Sequence, residues 1–246
     1  MILEGLATLD LTVPLGGGPS VIRPTLVWDE ESVILVDSGV PGQLEAIRAA
    51  MDEVGVPFAR LTKVIITHQD LDHIGSLPEV VAAAGPGLEV IAHQEAKPYI
   101  EGEKPLIKMT PERVAAMVES APPDQRPRLR ALLVSPPRAE VTTTLVDGQR
   151  LPECGCITVI FTPGRTPDHI SLYLHRHKAL VAGDALTAAD GQLFGPRPQV
   201  TPDMATATAS LAKFARFDIA TVICYHGGVV RENVAARLSD LASAGA

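Results

Sequence analysis

Apolar and polar positions alternate along the first 28 residues, a pattern typical of β-strands with one buried face. The alternation covers Ile2 to Leu11 and Val21 to Trp28, and it is interrupted by Gly16-Gly17-Gly18-Pro19. This arrangement predicts a β-hairpin with a flexible loop. The next run, Ser32 to Asp37, is apolar in its interior and ends on a carboxylate, which predicts a short buried strand.

Helical and strand patterns then alternate as far as residue 92. The spacing of Ser76 and Glu79 is that of an N-terminal capping box, so a helix is expected to begin there. The predicted elements are a helix between Pro41 and Gly55, a strand from Lys63 to Thr67, a helix through Ala84 and a strand from Leu88 to Ala92.

Residues 98–140 differ from the rest in composition. Proline pairs at 122–123 and 136–137 separate short helical patterns, which predicts a helical insertion packed on the sheet without joining it. Two β-rich parts, each closed by strand and helix, indicate stacked sheets with helices outside, in one domain spanning 1–246. The later elements are predicted as strands Val141 to Val146, Ile157 to Phe161, Ile170 to Leu174, Ala179 to Ala182 and Ile219 to Cys224, with helices from Asp203 to Phe217 and from Glu232.

Composition and charge restrict the class of protein. The 246 residues are 46% hydrophobic and 20% charged, which is typical of a globular chain with a substantial core. The formal net charge of −8 disfavours a nucleic-acid partner. No apolar run approaches the ~18 residues of a membrane span, and no basic segment precedes Arg23. We therefore expect a cytoplasmic protein without a membrane partner, and its three cysteines are expected to be reduced thiols.

The segment from Thr67 to Gly75 has the highest density of possible metal-ligating side chains in the sequence. It holds four possible metal ligands, His68, Asp70, Asp72 and His73, between a predicted strand and a helix. Imidazole and carboxylate groups this close together can turn toward one point and hold cations, although a solvated polar loop would have the same composition. Three further candidate ligands lie next to the ends of later predicted strands, namely His169, Asp184 and His226.

This ordered set resembles the metallo-β-lactamase-fold hydrolase superfamily over nearly the whole chain. The resemblance implies an α+β fold, a four-layer αββα sandwich with a helical insertion and a metal site at the edge between two sheets. The elements that carry it are Val36-Asp37-Ser38-Gly39, the HxxxDH segment from His68, the TPGxT element from Thr162, Gly183-Asp184 and the late His226-Gly227.

The resemblance also implies a site with two divalent ions, zinc, manganese or iron. Asp37 would steady the ligands from behind. His93 would do the same or contact substrate, unless it is simply a buried histidine. The implied ligands are His68 and His169 for the first ion, Asp72, His73 and His226 for the second, and Asp184 as a bridge between them.

Three departures from the family pattern bear on the chemistry. Asp70 stands where the family usually has a second histidine, and a hard oxygen ligand shifts the metal preference from zinc toward manganese or iron, whether Asp70 binds directly or through water. Arg165 and Asp168 replace a frequent histidine and glycine, so they are expected to affect substrate binding or loop packing. Tyr225 replaces a frequent glycine and either polarises a substrate carbonyl or packs as a buried aromatic.

The sequence thus predicts a dinuclear metal-dependent hydrolase of a small ester, lactone or thioester, using a metal-bridging hydroxide. Asp72 would orient the hydroxide, and Asp70 or a water would protonate the leaving group. Met109 and Met117 would line an apolar substrate pocket, unless the insertion instead forms the interface of a homodimer. The alternatives are an iron-dependent oxidoreductase resembling persulfide dioxygenases or flavodiiron proteins, and a non-catalytic metal-binding protein.

Overall fold

The apolar runs of the first half form one large sheet. A computed structural model describes residues 1–15 and 18–243 of the chain. Seven strands pair in the order β1-β2-β5-β6-β7-β8-β9, and β3 and β4 form a separate hairpin. The first nine strands are β1 (Ile2–Leu3), β2 (Leu6–Thr8), β3 (Leu11–Leu15), β4 (Gly18–Ile22), β5 (Thr25–Trp28), β6 (Val33–Val36), β7 (Lys63–Ile66), β8 (Glu89–His93) and β9 (Thr143–Leu145).

The N-terminal hairpin predicted from the alternation is confirmed, because both strand pairs share one antiparallel register around the loop, in which Leu6 faces Val27 and Leu11 faces Ile22. β2 pairs with β5 within the large sheet, whereas β3 pairs with β4 outside it. The alternation continues through both pairs, so the pattern of side chains does not reveal where the chain leaves the sheet. Gly16 and Gly17 of the predicted loop lie outside the described residues.

The second half forms a six-stranded sheet in the order β10-β11-β12-β13-β16-β17, and β14 and β15 form a small hairpin beside it. Within this sheet only the β13–β16 pair is parallel. The short strands β10, β14, β15 and β17 were not predicted, because two or three residues are too few to show a period. The bounds are β10 (Arg150–Leu151), β11 (Ile157–Phe161), β12 (Ile170–Leu174), β13 (Ala179–Val181), β14 (Thr187–Ala189), β15 (Gln192–Phe194), β16 (Thr221–Cys224) and β17 (Gly228–Val230).

Eight α-helices accompany the sheets in the described part of the chain. They are α1 (Leu44–Glu53), α2 (Leu71–Ile74), α3 (Leu77–Ala84), α4 (Lys97–Ile100), α5 (Pro111–Ser120), α6 (Arg126–Val134), α7 (Met204–Leu211) and α8 (Val234–Ser243). The helix predicted to Phe217 is α-helical only through Leu211 and continues as a 3-10 helix to Arg216. None of the helices in residues 1–15 and 18–243 is long and apolar enough to cross a membrane.

The predicted capping box at Ser76 is wrong. Ser76 is the residue before α3, but its hydroxyl makes no capping hydrogen bond to the helix. It donates instead to the carbonyl of Val40 at 2.6 Å and accepts the N–H of Gln43 at 2.7 Å. A tertiary partner has taken the oxygen that the local pattern assigned to the helix end.

Three apolar clusters define the layers. One lies between the sheets, where residues of the first sheet such as Val36 and Ile65 meet residues of the second such as Val159 and Leu172. A second covers the outer face of the first sheet with α1 and α3, and a third covers the outer face of the second sheet with α7 and α8. The predicted four-layer αββα sandwich is therefore confirmed.

The topology gathers strand ends at one edge of this sandwich. β6, β7 and β8 are parallel neighbours, so Asp37, Thr67 and His93 stand at adjacent carboxyl ends. In the second sheet β13 and β16 are parallel and β12 runs the opposite way. The start of β12 therefore lies at the same edge as the ends of β13 and β16. His169, Asp184 and His226 come from these three positions.

Candidate metal centre

The base of the centre is a hydrogen-bonded group around Asp37, which is 1% exposed. Its carboxylate accepts the N–H of Thr67 at 2.8 Å, the hydroxyl of Thr67, and Nδ1–H of His73 at 2.8 Å. The hydroxyl oxygen of Thr67 also lies 3.0 Å from Nδ1 of His68. Because each Nδ1 has a partner behind it, the Nε2 atoms of His68 and His73 are free to face the centre. The predicted place of Asp37 behind the ligands agrees with this geometry.

Four donor atoms converge at the end predicted to hold the second ion. Nε2 of His226 lies 3.1 Å from Oδ2 of Asp72, and Nε2 of both His226 and His73 lies 3.5 Å from Oδ1 of Asp184. The Nε2 atoms of His68, His73 and His226 and Oδ1 of Asp184 are buried and have no hydrogen-bond partner among the described residues. Unpaired buried polar atoms are costly, so their convergence fits a bound cation.

Two subsets of these donors are close enough to share one ion. His68, His73 and Asp184 form one group, and Asp72, His73 and His226 form the other, each with ligand atoms within 4.8 Å of one another. Imidazole nitrogens combined with carboxylate oxygens suit zinc, manganese and iron. The residues present therefore fit the divalent ion that this type of fold implies.

The electrostatics of this group favour an added cation. Burial alone would lower the pKa of His73, but the carboxylates of Asp37, Asp184 and Asp72 raise it well above its usual range. Burial would raise the pKa of Asp184, whereas His226, His73 and Arg165 lower it well below its usual range. An ionised carboxylate beside an imidazole that tends to hold its proton is an environment in which a metal ion can take the place of that proton.

The residues predicted for the first ion are arranged differently. Oδ2 of Asp70 lies 2.5 Å from Nζ of Lys108 and 2.9 Å from Nη2 of Arg165. Nε2 of His169 accepts the backbone N–H of Asp184 at 3.0 Å. Burial and the neighbouring His68 hold the pKa of His169 well below its usual range, in keeping with this acceptor role. In this half of the centre, Asp70 and His169 already have protein partners.

Arg165 also contacts the residue predicted to bridge the ions. Nη2 of Arg165 lies 2.7 Å from Oδ2 of Asp184, while Nη1 donates to the carbonyl of Val200 at 2.6 Å. Burial would raise the pKa of Asp70, but His68, Lys108 and Arg165 lower it far below its usual range. Asp70 and Asp184 are therefore both ionised, and each is paired with a buried cation.

Gly183 allows the chain to pass close to His169. Its φ is +55°, and a Cβ atom there would lie 2.8 Å from Nε2 of His169. A side chain at this position would displace the imidazole, and the positive φ would strain any residue with a Cβ. The glycine before Asp184 is thus required by the close approach of the His169 imidazole to the backbone.

Three of the other predicted site residues lie around this group. The hydroxyl of Tyr225 donates to the backbone carbonyl of Asp72, and its ring stacks on His73 with 3.9 Å between centroids. His93 stacks on Phe161 at 4.2 Å. Asp168, for which substrate binding and loop packing were both open, accepts the backbone and side-chain N–H groups of Gln69. It therefore packs the loop.

The insertion reaches the centre through Lys108, which the sequence did not single out, and through the backbone of Ile107. Lys108 contacts Asp70, and the N–H of Ile107 donates to Oε1 of Gln69 at 2.7 Å. No motif marks Lys108, because its partner is 38 residues away and only the tertiary fold joins them. A role for Met109 and Met117 in substrate binding stays a prediction. Leu71 packs against an apolar cluster of the insertion that contains Met109, Met117, Val114, Val118 and Leu133.

We expect Tyr225→Phe to lower stability and to change turnover little. The substitution removes the hydrogen bond to the Asp72 carbonyl and keeps the ring that stacks on His73. Loss of one buried hydrogen bond costs about 1–2 kcal/mol of unfolding free energy. Chemical denaturation and steady-state kinetics would measure both effects. A loss of turnover larger than about tenfold, with metal content unchanged, would assign the hydroxyl to catalysis, since a positioned proton donor contributes at least that much.

The fold and this donor set define a metallo-hydrolase type of protein. A family model described as "Metallo-beta-lactamase superfamily" matches residues 17–226. The chain belongs to the metallo-beta-lactamase superfamily.

Similar proteins agree with this assignment. "Probable metallo-hydrolase YflN" of Bacillus subtilis is 28% identical over 234 residues, which cover 87% of this chain and 83% of that protein. A metallo-beta-lactamase family protein of Thermus thermophilus superposes with a TM-score of 0.69 at 22% identity, over 98% of this chain and 79% of that one. The metallo-beta-lactamase FIM-1 of Pseudomonas aeruginosa, in its mono-zinc form, superposes with a TM-score of 0.68 at 15% identity, over 99% of this chain and 93% of that one. The two structures establish similarity of fold alone.

Proposed function

We propose that the protein is a metal-dependent hydrolase of a small ester, lactone or thioester. The observation that carries the proposal is the set of unpartnered donor atoms on His68, His73, His226 and Asp184, which converge at the sheet edge. Membership of a superfamily with a relative named as a metallo-hydrolase supports hydrolysis as the reaction class.

A divalent cation at this centre would supply Lewis-acid chemistry that acidifies water and polarises a carbonyl oxygen. The neighbouring side chains would position the reactants. Burial raises the pKa of Asp72, but His73 and His226 lower it more, so the carboxylate is ionised. Oδ2 of Asp72 can then accept a proton from an attacking water and orient it.

Solvent reaches the centre beside Asp72 and His226, whose side chains are 21% and 16% exposed. We infer that substrate enters from this side. Asp70 is ionised against Lys108 and Arg165, so it has no proton to give to a leaving group. We therefore assign protonation of the leaving group to water, the other donor considered from the sequence.

The charge distribution favours a small carbonyl substrate over a nucleic acid. The formal net charge is −8, and the buried cations Lys108 and Arg165 are already paired with carboxylates. A polyanion would meet repulsion over most of the surface. A small uncharged ester, lactone or thioester avoids this cost.

We expect a panel of chromogenic esters, lactones, thioesters and phosphodiesters to reveal turnover in one of the first three groups. Activity should be lost after a chelator and restored by zinc, manganese or ferrous ion, because the reaction depends on the centre. Elemental analysis of protein purified without added metal is the accompanying measurement.

The remaining outcomes separate the alternatives. If metal-loaded protein turns over none of the substrates in the panel, a non-catalytic metal-binding role is favoured. Iron-loaded protein that consumes oxygen would favour the oxidoreductase. Turnover of phosphodiesters alone would contradict the substrate class that we propose.

A further inference from the structure

The two halves of the centre differ in what their ligand atoms already bind. In the half around His73 and His226, the Nε2 atoms and Oδ1 of Asp184 have no hydrogen-bond partner among the described residues. In the other half, Asp70 binds two cationic side chains and His169 accepts a backbone N–H. One half is arranged to receive a cation, whereas the other is satisfied by the protein itself.

Lys108 and Arg165 are built into the interior. Their side chains are each 7% exposed, and Asp70 between them is 8% exposed. Arg165 is held further by the carbonyl of Val200 and by Oδ2 of Asp184. Surface ion pairs exchange readily with solvent, but these contacts are shielded from it and geometrically fixed.

The charges of these two side chains together equal that of a divalent ion. A second metal ion beside Asp70 would meet the ammonium of Lys108 and the guanidinium of Arg165, which lie 2.5 Å and 2.9 Å from Oδ2 of that carboxylate. Like charges at such separations repel strongly when water is excluded. To admit that ion, both side chains would have to leave their buried carboxylate partners.

His68 does not make a second site by itself. Its Nε2 has no hydrogen-bond partner among the described residues. It lies 3.2 Å from Oδ2 of Asp70, an oxygen that Lys108 and Arg165 already bind, and within 4.8 Å of the ligand atoms of His73 and Asp184. It therefore belongs with the open half of the centre. The donors still available for metal binding form one contiguous group.

We propose that the centre holds a single divalent cation among these unpartnered donors, and that Lys108 and Arg165 replace the first of the two ions predicted from the sequence. The inference deepens the proposed function and rests on it. Lys108 and Arg165 act as positioning residues: they hold Asp70 and Asp184 in place and supply fixed positive charge on their side of the centre. Lys108 comes from the insertion, so the insertion completes the site.

Metal stoichiometry tests this directly. Wild-type protein, saturated in turn with zinc, manganese and ferrous ion and then desalted, is expected to retain one equivalent per chain by elemental analysis. The manganese form should show the EPR spectrum of an isolated ion. Two equivalents, or the spectrum of an exchange-coupled pair, would overturn the proposal without any variant having to fold.

Paired variants identify the groups responsible. Lys108→Met with Arg165→Met removes both charges at similar side-chain length, so Asp70 and Asp184 become available and the stoichiometry should rise from one to two. The charge-preserving pair Lys108→Arg with Arg165→Lys is the matched control and should remain at one. A folded methionine double variant that still retains one equivalent would refute the replacement by these side chains.

The inference and the proposed function fail in different ways. Two equivalents with ester, lactone or thioester turnover would overturn the single-ion centre and leave the hydrolase intact. One equivalent without turnover of any substrate would support the single-ion centre and count against the hydrolase. Wild-type protein that retains no metal would overturn both.

Discussion

Replacing His226 by alanine is expected to abolish metal binding and hydrolysis while the protein remains folded. Nε2 of His226 lies 3.1 Å from Asp72 and 3.5 Å from Asp184 and has no hydrogen-bond partner among the described residues. The imidazole therefore contributes little to folding through that atom. Losing residues that merely support a ligand costs roughly 10- to 100-fold in metal affinity or activity, so loss of a ligand should cost at least about 100-fold.

His175→Ala is a matched control for this prediction. His175 lies in the turn between β12 and β13, and its Nε2 bonds the hydroxyl of Thr158. Its removal should leave metal content and turnover unchanged. Elemental analysis, circular dichroism and kinetics would compare the two variants with wild type. Unchanged metal and turnover in folded His226→Ala protein would refute the assignment of this ligand.

Asp184→Ala is expected to lose metal as well, but at a cost to folding. The Asp184 carboxylate pairs with Nη2 of Arg165 at 2.7 Å, so the substitution removes one partner of a buried guanidinium. We expect a loss of about 1–3 kcal/mol of unfolding free energy, or more because the group is charged. In thermal denaturation without metal, Asp184→Ala should therefore unfold at a lower temperature than His226→Ala, although both variants lose activity.

The second large effect is expected at Asp37. Asp37→Asn should lower metal affinity by about 10- to 100-fold, because the carboxylate that orients Nδ1 of His73 loses its charge. Asparagine tolerates the φ of +64° found there, so the backbone should be preserved. Asp37→Ala should in addition lose about 1–3 kcal/mol of stability, because Thr67 and His73 are left with unsatisfied buried donors.

Competition with a chelator would measure the affinity, and thermal denaturation the stability. Asp29→Asn provides the control. Asp29 accepts backbone N–H groups of Glu31, Ser32 and Cys154, but among the described residues it lies in no group of possible metal ligands. It should change stability and leave metal affinity as in wild type. Equal metal affinity in Asp37→Asn and wild-type protein would contradict the supporting role of Asp37.

Much of the fold follows from local patterns. The strands β6, β7, β11 and β12 are short apolar runs bounded by polar turns. β11 and β12 have the predicted bounds, whereas β7 was predicted one residue too long at one end and β6 at both ends. The N-terminal hairpin was also predicted correctly, whereas the capping box at Ser76 was predicted wrongly, because its hydroxyl donates to the distant carbonyl of Val40. A local sequence pattern does not show which distant group a side chain will meet after folding.

The candidate site divides in the same way. His68, Asp72 and His73 lie within one short segment of the chain, and their spacing together with the family resemblance was enough to propose a metal centre. The hydrogen bond from His73 to Asp37 also agrees with the place inferred for Asp37 behind the ligands. Lys108 was missed, because it lies in an insertion without a motif and meets Asp70 only after folding.

Residue identity and local periodicity were sufficient for stacked sheets with helices outside, for the ligand types and for the strand ends that carry them, and the family resemblance supplied the αββα class. Which of those ligands remain free for a cation depended on the folded chain. Hydrogen bonds and ion pairs between segments far apart in the sequence satisfy Asp70 and His169 and leave His73 and His226 open. Such long-range partners are selected by packing, which no short stretch of sequence encodes.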